Sequence, residues 1–398
     1  MKRWIACILG LVLAAGLLCS CAQPGPSSAA GAAPPAATPE PTPEPTPTPE
    51  PYEANLLTGF EKDAAFPEGQ RITAVMVNNL TSCRPQRGLS QAQVLCEIKV
   101  EGGITRFMAL FNDYNAIPMI GPIRSARDQF FRLVLPWQPL YVHIGQSVVQ
   151  KEYIDNYQYD EWNIEGNFDS GFWWREKGRV NWAGNGVAIE HTAYTDGEHI
   201  AEYIQRKEVD DRRTYNSTFF TFVDYREPPR TLEGDPAGRV TIRHSASYRT
   251  RFVYDEAAGK YLMSQFYSPL GDYRDSIDEN NGEQLSFDNL VILFTDIHTY
   301  PGHEAKDLQY AEYSWGGVGY YCYGGRIIPL RWTKGTDLEG LVLYDYDMTA
   351  PLEINCGKTY LTVVDIDEAG QFAAESLEEA APQLPEQAIE ETFEESDD

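Results

Sequence analysis

The sequence has few basic residues for its length. Its 398 residues include 32 lysines and arginines against 59 aspartates and glutamates, which gives a formal net charge of -27 at pH 7. No lysine or arginine follows Lys358. Nucleic-acid binding requires a basic footprint, and docking on anionic lipid head groups requires a polybasic segment. The composition therefore excludes nucleic acid as a partner and argues against a charge-driven contact with the membrane surface.

Several catalytic signatures are also missing. The chain has no GxSxG, HExxH or GxxxxGK[ST], and no GxGxxG in a suitable context. A nucleophile elbow, a zinc-protease helix, a P-loop and a dinucleotide-binding turn are therefore not indicated, and we expect no cofactor. The stretch DIHTYPGHE offers Asp296, His298 and His303 as metal ligands. Because such a histidine loop on a β domain is usually only solvated, we predict no metal site.

Cysteine is scarce beyond the start of the chain. After residue 21 only Cys83, Cys96, Cys322 and Cys356 remain, and no CxxC occurs, so neither a redox motif nor a zinc ribbon is indicated. In an exported protein Cys83 can pair with Cys96 and Cys322 with Cys356, and two other connectivities exist. Small buried thiols explain the same residues equally well. The sequence leaves the disulfide state open.

The long apolar run of the sequence lies at its N-terminus. Lys2 and Arg3 precede an apolar run from Trp4 to Leu18, and the small Ser20 precedes Cys21. This is the layout of a bacterial secretory signal with a lipobox, so we predict a signal peptide over 1–21 and lipidation of Cys21, for example by palmitate. The run is short for a membrane span, which needs about 20 residues. We expect an extracytoplasmic protein anchored to the cell membrane by lipid; an uncleaved membrane anchor is the alternative.

Two segments lack the large apolar residues of a core. Residues 22–52 are rich in Pro, Ala, Thr and Glu, which predicts a disordered, semi-rigid tether of up to ~90 Å at about 3.1 Å per residue. Residues 367–398 are acidic and interrupted by proline, which predicts a disordered tail.

The remaining sequence is long enough for two domains. In the first, residues 53–228, strand-like and helix-like segments alternate, which predicts an α/β domain with a sheet covered by helices. In the second, residues 238–366, short alternating runs are separated by turn residues, which predicts mainly antiparallel β structure with a hairpin turn at Gly324-Gly325. In the first domain we predict strands over 71–79, 105–111 and 139–145 and helices over 90–98 and 126–135.

The stretch IGPIRSARDQF, residues 120–130, places two arginines together in this acidic chain. Ser125 and Asp128 have the spacing of a capping box, so Arg124 and Arg127 are predicted to lie at a helix start. A helix start prefers anions, so the arginines indicate either a bound phosphate or carboxylate or a pairing with the chain's own carboxylates, such as Asp128, Glu97 or Glu101. Ligands often bind at strand ends of α/β sheets, where other polar residues occur. The predicted anion-binding set is Arg84, Arg106, Arg124, Arg127, Asp128 and His143.

With these residues in view, the chain resembles the YerB-like bacterial lipoproteins. The resemblance is carried by AVMVNN, CRPQRGLSQAQVLCEIKVEGGITRFMALF, IGPIRSARDQF and YVHIGQS, and less specifically by LSFDNLVILF, GVGYYCYGGRIIPLRW and INCGKTYLTVV. It implies an N-terminal and a C-terminal domain of unknown function. The family pattern has other residues at Cys83 and Cys96, which implies that neither is a nucleophile, and only His191 matches its Pro-His-Asn run.

A more distant similarity, to the LytR-CpsA-Psr wall-polymer transferases, implies a specific ligand. On that interpretation Arg84, Arg106, Arg124 and Arg127 hold a pyrophosphate, and Asp128 orients them or a divalent cation. Three hypotheses follow. The favoured one is a lipoprotein that binds an anionic ligand or an envelope protein without catalysis. The alternatives are a phosphotransferase-like enzyme acting on lipid-linked phosphorylated cell-wall precursors and a structural scaffold lipoprotein whose arginines form internal ion pairs.

Overall fold

The computed structural model describes residues 54–63, 65–179 and 187–377, all of which belong to one compact unit. The predicted signal peptide, the tether and the last 21 residues of the predicted tail, 378–398, lie outside the described residues. Within these ranges, every helix is too short or too polar to span a membrane.

The described residues form 21 strands, β1 to β21, and three α-helices, α1 to α3. In the first half the strands are β1 Thr73–Asn78, β2 Val94–Lys99, β3 Thr105–Phe111, β4 Leu140–His143, β5 Asn163–Glu165, β6 Trp174–Arg175 and β7 Ala193–Tyr194. In the second half they are β8 Asp235–Pro236, β9 Arg239–Arg243, β10 Arg249–Asp255, β11 Lys260–Tyr267, β12 Asp272–Asp275, β13 Ser286–Phe287, β14 Asn289–Thr295, β15 Ile297–Thr299, β16 Gln309–Ala311, β17 Gly317–Tyr323, β18 Arg326–Thr333, β19 Val342–Asp345, β20 Thr359–Asp365 and β21 Ala373–Glu375.

The α-helices are α1 Asp128–Val134, α2 Val148–Asn156 and α3 Gly197–Lys207. Single turns of 3-10 helix connect the strands: Thr81–Cys83, Leu89–Gln91, Glu101–Gly103, Tyr114–Ala116, Leu135–Trp137, Lys177–Arg179, Ile189–His191, Glu304–Lys306 and the longer Ile366–Gln371.

A large mixed sheet runs through both halves of the sequence. Its order is β19-β18-β17-β14-β20-β2-β3-β1-β4-β5, with β8 paired to β18. β20, from the second half, lies between β14 and β2 and is parallel to both. β1 is antiparallel to β3 and parallel to β4. The two halves therefore share one sheet, while the second half is otherwise mainly antiparallel.

The predicted helix over 90–98 is wrong, because this segment contains β2. Although Leu, Gln and Glu favour helices, β2 is hydrogen-bonded to β3 and β20 on its two sides. Val94 and Cys96 pack on one face of the sheet and Leu95 on the other. A strand that is buried on both faces lacks the simple alternation that marks a half-exposed strand. The three other strands and the α1 helix predicted in this half are confirmed.

The two faces of the large sheet are covered differently. On one face, α1 contributes Phe130, Phe131 and Val134 to a core that also includes Met76 and Met108. On the other face lies a second, antiparallel sheet of order β12-β11-β10-β9-β21, with β13 beside β11. Its contact with the large sheet is aromatic: the ring of Phe252 lies 4.7 Å from that of Tyr360. The site described below lies at the strand ends of this layered body.

The predicted disordered tail begins too early. Residues Ile366–Gln371 form a 3-10 helix, and β21 pairs with β9. Phe372 explains this order, because its ring stacks on Tyr320 at 4.8 Å and also contacts Phe294. The ordered structure therefore continues at least to Glu375. The prediction was wrong because it relied on the acidic composition of the segment and overlooked the packing of Phe372.

The structure answers two local questions that the sequence raised: whether Gly324-Gly325 forms a hairpin turn and whether the cysteines form disulfides. Gly324 and Gly325 have φ values of 59° and 73° and connect the paired residues Tyr323 and Arg326, which confirms the hairpin turn. Cys83, Cys96 and Cys322 are free thiols, so neither the Cys83–Cys96 nor the Cys322–Cys356 pairing forms.

Candidate functional site: an arginine cluster at the strand ends

The segment IGPIRSARDQF lies across the ends of β1 and β4. The Arg124 amide donates to the Met76 carbonyl at 3.0 Å, and the Ala126 amide donates to the Gly145 carbonyl at 3.0 Å. Arg106, near the start of β3, is in register with Asn78 at the end of β1. The strand register thus brings Arg106, Arg124 and Arg127 together, as the prediction from strand ends required. We call these three residues, with Glu101, the arginine cluster.

One carboxylate serves two of the three arginines. Arg127 forms an ion pair through Nε with Glu101 Oε1, and Arg106 Nη2 lies 3.8 Å from Glu101 Oε2. Backbone carbonyls take further donors: Arg106 Nη1 donates to Ser125 at 2.5 Å, and Arg127 Nη1 donates to Ala126 at 2.7 Å. Glu101, one of the predicted internal partners, therefore fixes two guanidinium groups without neutralising both.

Arg124 has no such partner. Its guanidinium is half-buried, and it forms no hydrogen bond or ion pair with residues 54–63, 65–179 or 187–377. Burial lowers the pKa of Arg124, and the like charges of Arg127 and Arg175 lower it further, while Glu190 acts in the opposite direction. Burial and the neighbouring Arg127 lower the pKa of Arg106 to about 9. The cluster thus carries an excess of positive charge in a partly desolvated place, where a bound anion would stabilise it.

The surroundings of Arg124 include three polar residues that do not neutralise it. Asn78 Nδ2 donates to His191 Nδ1 at 3.0 Å and lies 3.3 Å from Cys83 Sγ. Burial and Arg124 lower the pKa of His191, so its imidazole is neutral near pH 7. Burial raises the pKa of Cys83 to about 11, so its thiol stays protonated and is a poor nucleophile. Glu190 was not predicted as a site residue, because a single exposed glutamate belongs to no recognisable sequence motif.

Two predicted site residues are engaged elsewhere. The Asp128 carboxylate accepts a hydrogen bond of 2.6 Å from the Tyr300 hydroxyl, and burial raises the pKa of Asp128 to about 6. His143 is fully buried, with Nδ1 2.9 Å from the Gly145 carbonyl and Nε2 2.7 Å from Asn163 Oδ1. Burial lowers the pKa of His143. Neither side chain donates to or accepts from an arginine of the cluster.

The predicted capping box is also wrong. α1 begins at Asp128 with Arg127 as N-cap, and no side chain caps it. Ser125 lies two residues too early to reach the first helical amides, and its carbonyl is the acceptor for Arg106. Arg127 therefore lies at the start of α1 as its N-cap, whereas Arg124 lies three residues earlier, where its amide is bonded to Met76 of β1.

Arg84 lies beside the cluster but lines a different cavity. Its Nε donates to Asn79 Oδ1 and its Nη1 to the Phe266 carbonyl, both at 3.1 Å. The cavity has a volume of about 330 Å³ and also includes Gln86, Gln265 and Arg274. Arg84 thus has its own protein partners and is not part of the arginine cluster.

Glu97, which the sequence offered as a partner for the arginines, instead joins the two sheets. Glu97, on β2, is 1% exposed. Its Oε1 accepts from Thr105 at 2.6 Å and Asn79 at 3.1 Å, and its Oε2 accepts from Tyr360 at 2.6 Å and Thr250 at 2.8 Å. The signal for this role in the sequence was the position of a glutamate within the apolar segment that forms β2. Glu97 holds β10 against the large sheet and is not a partner of Arg124 or Arg127.

No group of three or more His, Cys, Asp or Glu side chains in the described ranges is placed to hold a metal ion. His298 Nδ1 lies 2.8 Å from Asp296 Oδ2, and His303 contacts the ring of Tyr300.

Comparison with known proteins identifies the family. Two family models match the chain: the protein of unknown function (DUF3048) N-terminal domain over residues 57–210 and the corresponding C-terminal domain over residues 240–361. The chain is 27% identical to "Putative lipoprotein YerB" of Bacillus subtilis (strain 168), over 81% of this chain and 89% of that protein. It is also similar to a crystal structure of the YerB protein from Bacillus subtilis, with a TM-score of 0.65 and 23% identity over 81% of this chain and 100% of the other. The chain therefore belongs to the YerB-like DUF3048 family, with both the N-terminal and the C-terminal domain present.

Proposed function

We propose that this protein is a lipid-anchored extracytoplasmic lipoprotein that binds an anionic group, a phosphate or a carboxylate, at the arginine cluster. The observation that carries the proposal is the half-buried guanidinium of Arg124, which lies beside Arg106 and Arg127 and has no partner among the described residues. A guanidinium presents a planar fork of donors that fits a phosphate or carboxylate in a bidentate manner.

The cluster is pre-organised for such a ligand. Glu101 and the carbonyls of Ser125 and Ala126 hold Arg106 and Arg127 in place before any ligand arrives, so little side-chain entropy is lost on binding. Arg124 then supplies the uncommitted donors. The rest of the chain is acidic, with a net charge of -27, so only a local cluster of this kind can attract an anion to this surface.

The lipid anchor rests on the N-terminal sequence. The basic start, the apolar run and Ser20 before Cys21 follow the lipobox layout, and the Bacillus relative carries the word lipoprotein in its name. On this proposal Cys21 is acylated and the folded part works outside the cell, next to the membrane that holds the anchor. Its ligand is then an anionic group of the envelope, on a small molecule or on a protein.

We favour binding over phosphoryl transfer because the residues that would catalyse transfer are otherwise engaged. Asp128 is bonded to Tyr300, so its carboxylate does not orient the arginines. The Cys83 thiol is protonated, since burial raises its pKa to about 11. The cluster can hold a charge, and no described side chain beside it is poised as a nucleophile.

A thermal-unfolding panel tests the proposal. The purified protein is melted with phosphate, pyrophosphate and citrate, as wild type, as Arg124→Ala and as Arg212→Ala, a control whose side chain is exposed and lies away from the cluster. A ligand at about 100 times its dissociation constant stabilises the folded state by ~2.7 kcal/mol. We expect at least one anion to raise the midpoint of the wild type and of Arg212→Ala but not that of Arg124→Ala. Equal responses in all three proteins, or none in the wild type, would refute an anion site at Arg124.

A further inference from the structure

A second site-like feature lies on the other side of α1. α2 and the loop after β15 enclose an open cavity of about 400 Å³. Three tyrosines line it: Tyr153 from α2, Tyr157 directly after the last residue of α2, and Tyr300 from the loop. Tyr153 and Tyr157 are four residues apart and therefore lie on one face of the helix, with ring centroids 6.3 Å apart and the rings 14° from parallel.

The phenol hydroxyls of these tyrosines are already used. Tyr157 donates to Asp337 at 3.0 Å, Tyr300 donates to Asp128 at 2.6 Å, and the Tyr153 hydroxyl is hydrogen-bonded to that of Tyr300. The three tyrosines therefore present their aromatic rings to the cavity, while their hydroxyl groups are already engaged. A ligand that depends on many hydrogen bonds, such as a neutral sugar, finds few partners here.

The charge around the cavity is negative. Glu152 and Asp337 line it, and among the described lining residues there is no lysine or arginine. Asp337 is offset by Arg132, whose Nε donates to it at 2.7 Å, but the exposed carboxylate of Glu152 forms no hydrogen bond or ion pair with any residue in the described ranges. Asp337 is thus paired with Arg132 and lies near Lys334, and among the described lining residues Glu152 is the carboxylate without a partner.

The same aromatic cluster already accommodates one cation. The guanidinium of Arg132 lies 4.6 Å from the ring centroid of Tyr310, 5.1 Å from that of Tyr313 and 5.7 Å from that of Tyr153. Aromatic faces attract cations through the ring quadrupole, and aromatic cages with a nearby carboxylate bind ammonium groups. Arg132 fills the inner part of this cluster, and Tyr153 belongs both to the cluster and to the wall of the cavity.

We propose that the cavity between α2 and the loop after β15 binds an organic ammonium group, with Tyr153, Tyr157 and Tyr300 as the aromatic walls and Glu152 as the counter-ion. This site is separate from the arginine cluster and takes a ligand group of opposite charge. The two sites need not bind the same ligand molecule, because each site is defined by its own residues.

Calorimetric titration of the full-length protein with choline tests this inference. The neutral comparison ligand is 3,3-dimethylbutan-1-ol, which has the shape of choline without the charge, and the titrations are run at low salt, where ionic screening is weak. We expect choline to bind and its neutral analogue to bind at least about fivefold more weakly. Equal binding of the two ligands would show an apolar pocket, and no choline binding would show no site; either result overturns the proposal.

Four variants locate the site. Glu152→Gln is expected to weaken choline binding about threefold to fivefold, as for a partly exposed ion pair, and Tyr157→Leu about fivefold through loss of a ring. Tyr157→Phe keeps the ring, and Glu202→Gln changes an exposed glutamate on α3; both should bind choline like the wild type. If Glu202→Gln weakens binding as much as Glu152→Gln, the effect is one of net charge and the site is not at the cavity.

Discussion

Arg127 and Asp128 are neighbours in the chain but have different partners: the Arg127 guanidinium pairs with Glu101, whereas the Asp128 carboxylate accepts a hydrogen bond from Tyr300 at 2.6 Å. The start of α1 therefore separates two charged groups that the sequence places side by side. Arg127 contributes to a positive cluster at the strand ends, and Asp128 contributes to a negative, tyrosine-lined cavity. This separation places the two proposed sites, which differ in charge, on either side of the start of α1.

The stability of the protein should respond differently to the loss of Arg124 and of Arg127. Arg127→Ala removes the main partner of the partly buried Glu101, which keeps only Arg106 at 3.8 Å. The expected loss is about 2 kcal/mol of unfolding free energy, between the values for exposed and buried pairs. Arg124→Ala removes an unpaired charge and should change stability by less than about 0.5 kcal/mol. Urea denaturation measures both values, and a larger loss for Arg124→Ala would mean that Arg124 is part of an internal ion pair.

Asp128 should make stability depend on pH between its unfolded and folded pKa values. Burial raises the pKa of Asp128 from an ordinary value near 3.8 to about 6, so the folded state holds its proton more tightly than the unfolded state. Unfolding then releases a proton in this range, and stability from this group falls as the pH rises from about 4 to 6, by up to ~3 kcal/mol.

Asp128→Asn removes this contribution. The difference in Tm between pH 4.5 and pH 7.5 should shift toward greater relative stability at the higher pH in Asp128→Asn, while the exposed control Asp160→Asn should behave like the wild type. If Asp128→Asn and the wild type show the same pH dependence of Tm, burial does not raise the pKa of Asp128.

The Glu97 network should be a major contributor to the packing of the two sheets. Tyr360→Phe removes the hydroxyl that donates to Glu97 Oε2 at 2.6 Å, and a hydrogen bond to a charged group is worth about 1.5–3 kcal/mol. The matched control is Tyr261→Phe, another fully buried tyrosine, whose hydroxyl lies at 3.4 Å from the Arg326 carbonyl. We expect the loss for Tyr261→Phe to be below about 1 kcal/mol. Equal losses of unfolding free energy for the two variants in chemical denaturation would show that the hydrogen bond from Tyr360 to Glu97 adds no extra stability.

Cys21 should be the lipidated residue. In cells fed with labelled palmitate, the wild type and Cys19→Ser should incorporate label and fractionate with the membrane, whereas Cys21→Ser should not incorporate it. Cys19 is the matched control because it lies two residues away in the same segment. Label retained by Cys21→Ser would point to a different modified cysteine, and an unlabelled wild type in the membrane fraction would point to an uncleaved apolar anchor.

The parts of the fold that were predictable depend on local patterns. Strands such as β3 and β4 follow from their β-branched and aromatic runs, and α1 follows from the spacing of Phe130, Phe131 and Val134. β2 was mistaken for a helix because both of its faces are buried, which only its neighbours reveal. The parallel pairing of β2 with β20 joins residues as far apart as Glu97 and Thr362, 265 positions along the chain, and no local pattern encodes such a contact.

The site was predictable to a similar degree. The structure places Arg106, Arg124 and Arg127 together at the strand ends, and Glu101, which pairs with Arg127, was among the carboxylates named from the sequence. Asp128 and His143 were placed in the same set because they are close in sequence or at a strand end. Their side-chain partners, Tyr300 and Asn163, come from segments whose approach is decided by packing.

The affinity of pyrophosphate for the purified full-length protein is measured by isothermal titration calorimetry for the wild type, Arg124→Ala and Arg212→Ala. We expect measurable binding that survives in Arg212→Ala and is weakened at least about tenfold in Arg124→Ala, as for the loss of a charge-assisted hydrogen-bonding partner worth about 1.5–3 kcal/mol. The same affinity in all three proteins, or no heat of binding with any of them, would contradict an anion site at the arginine cluster.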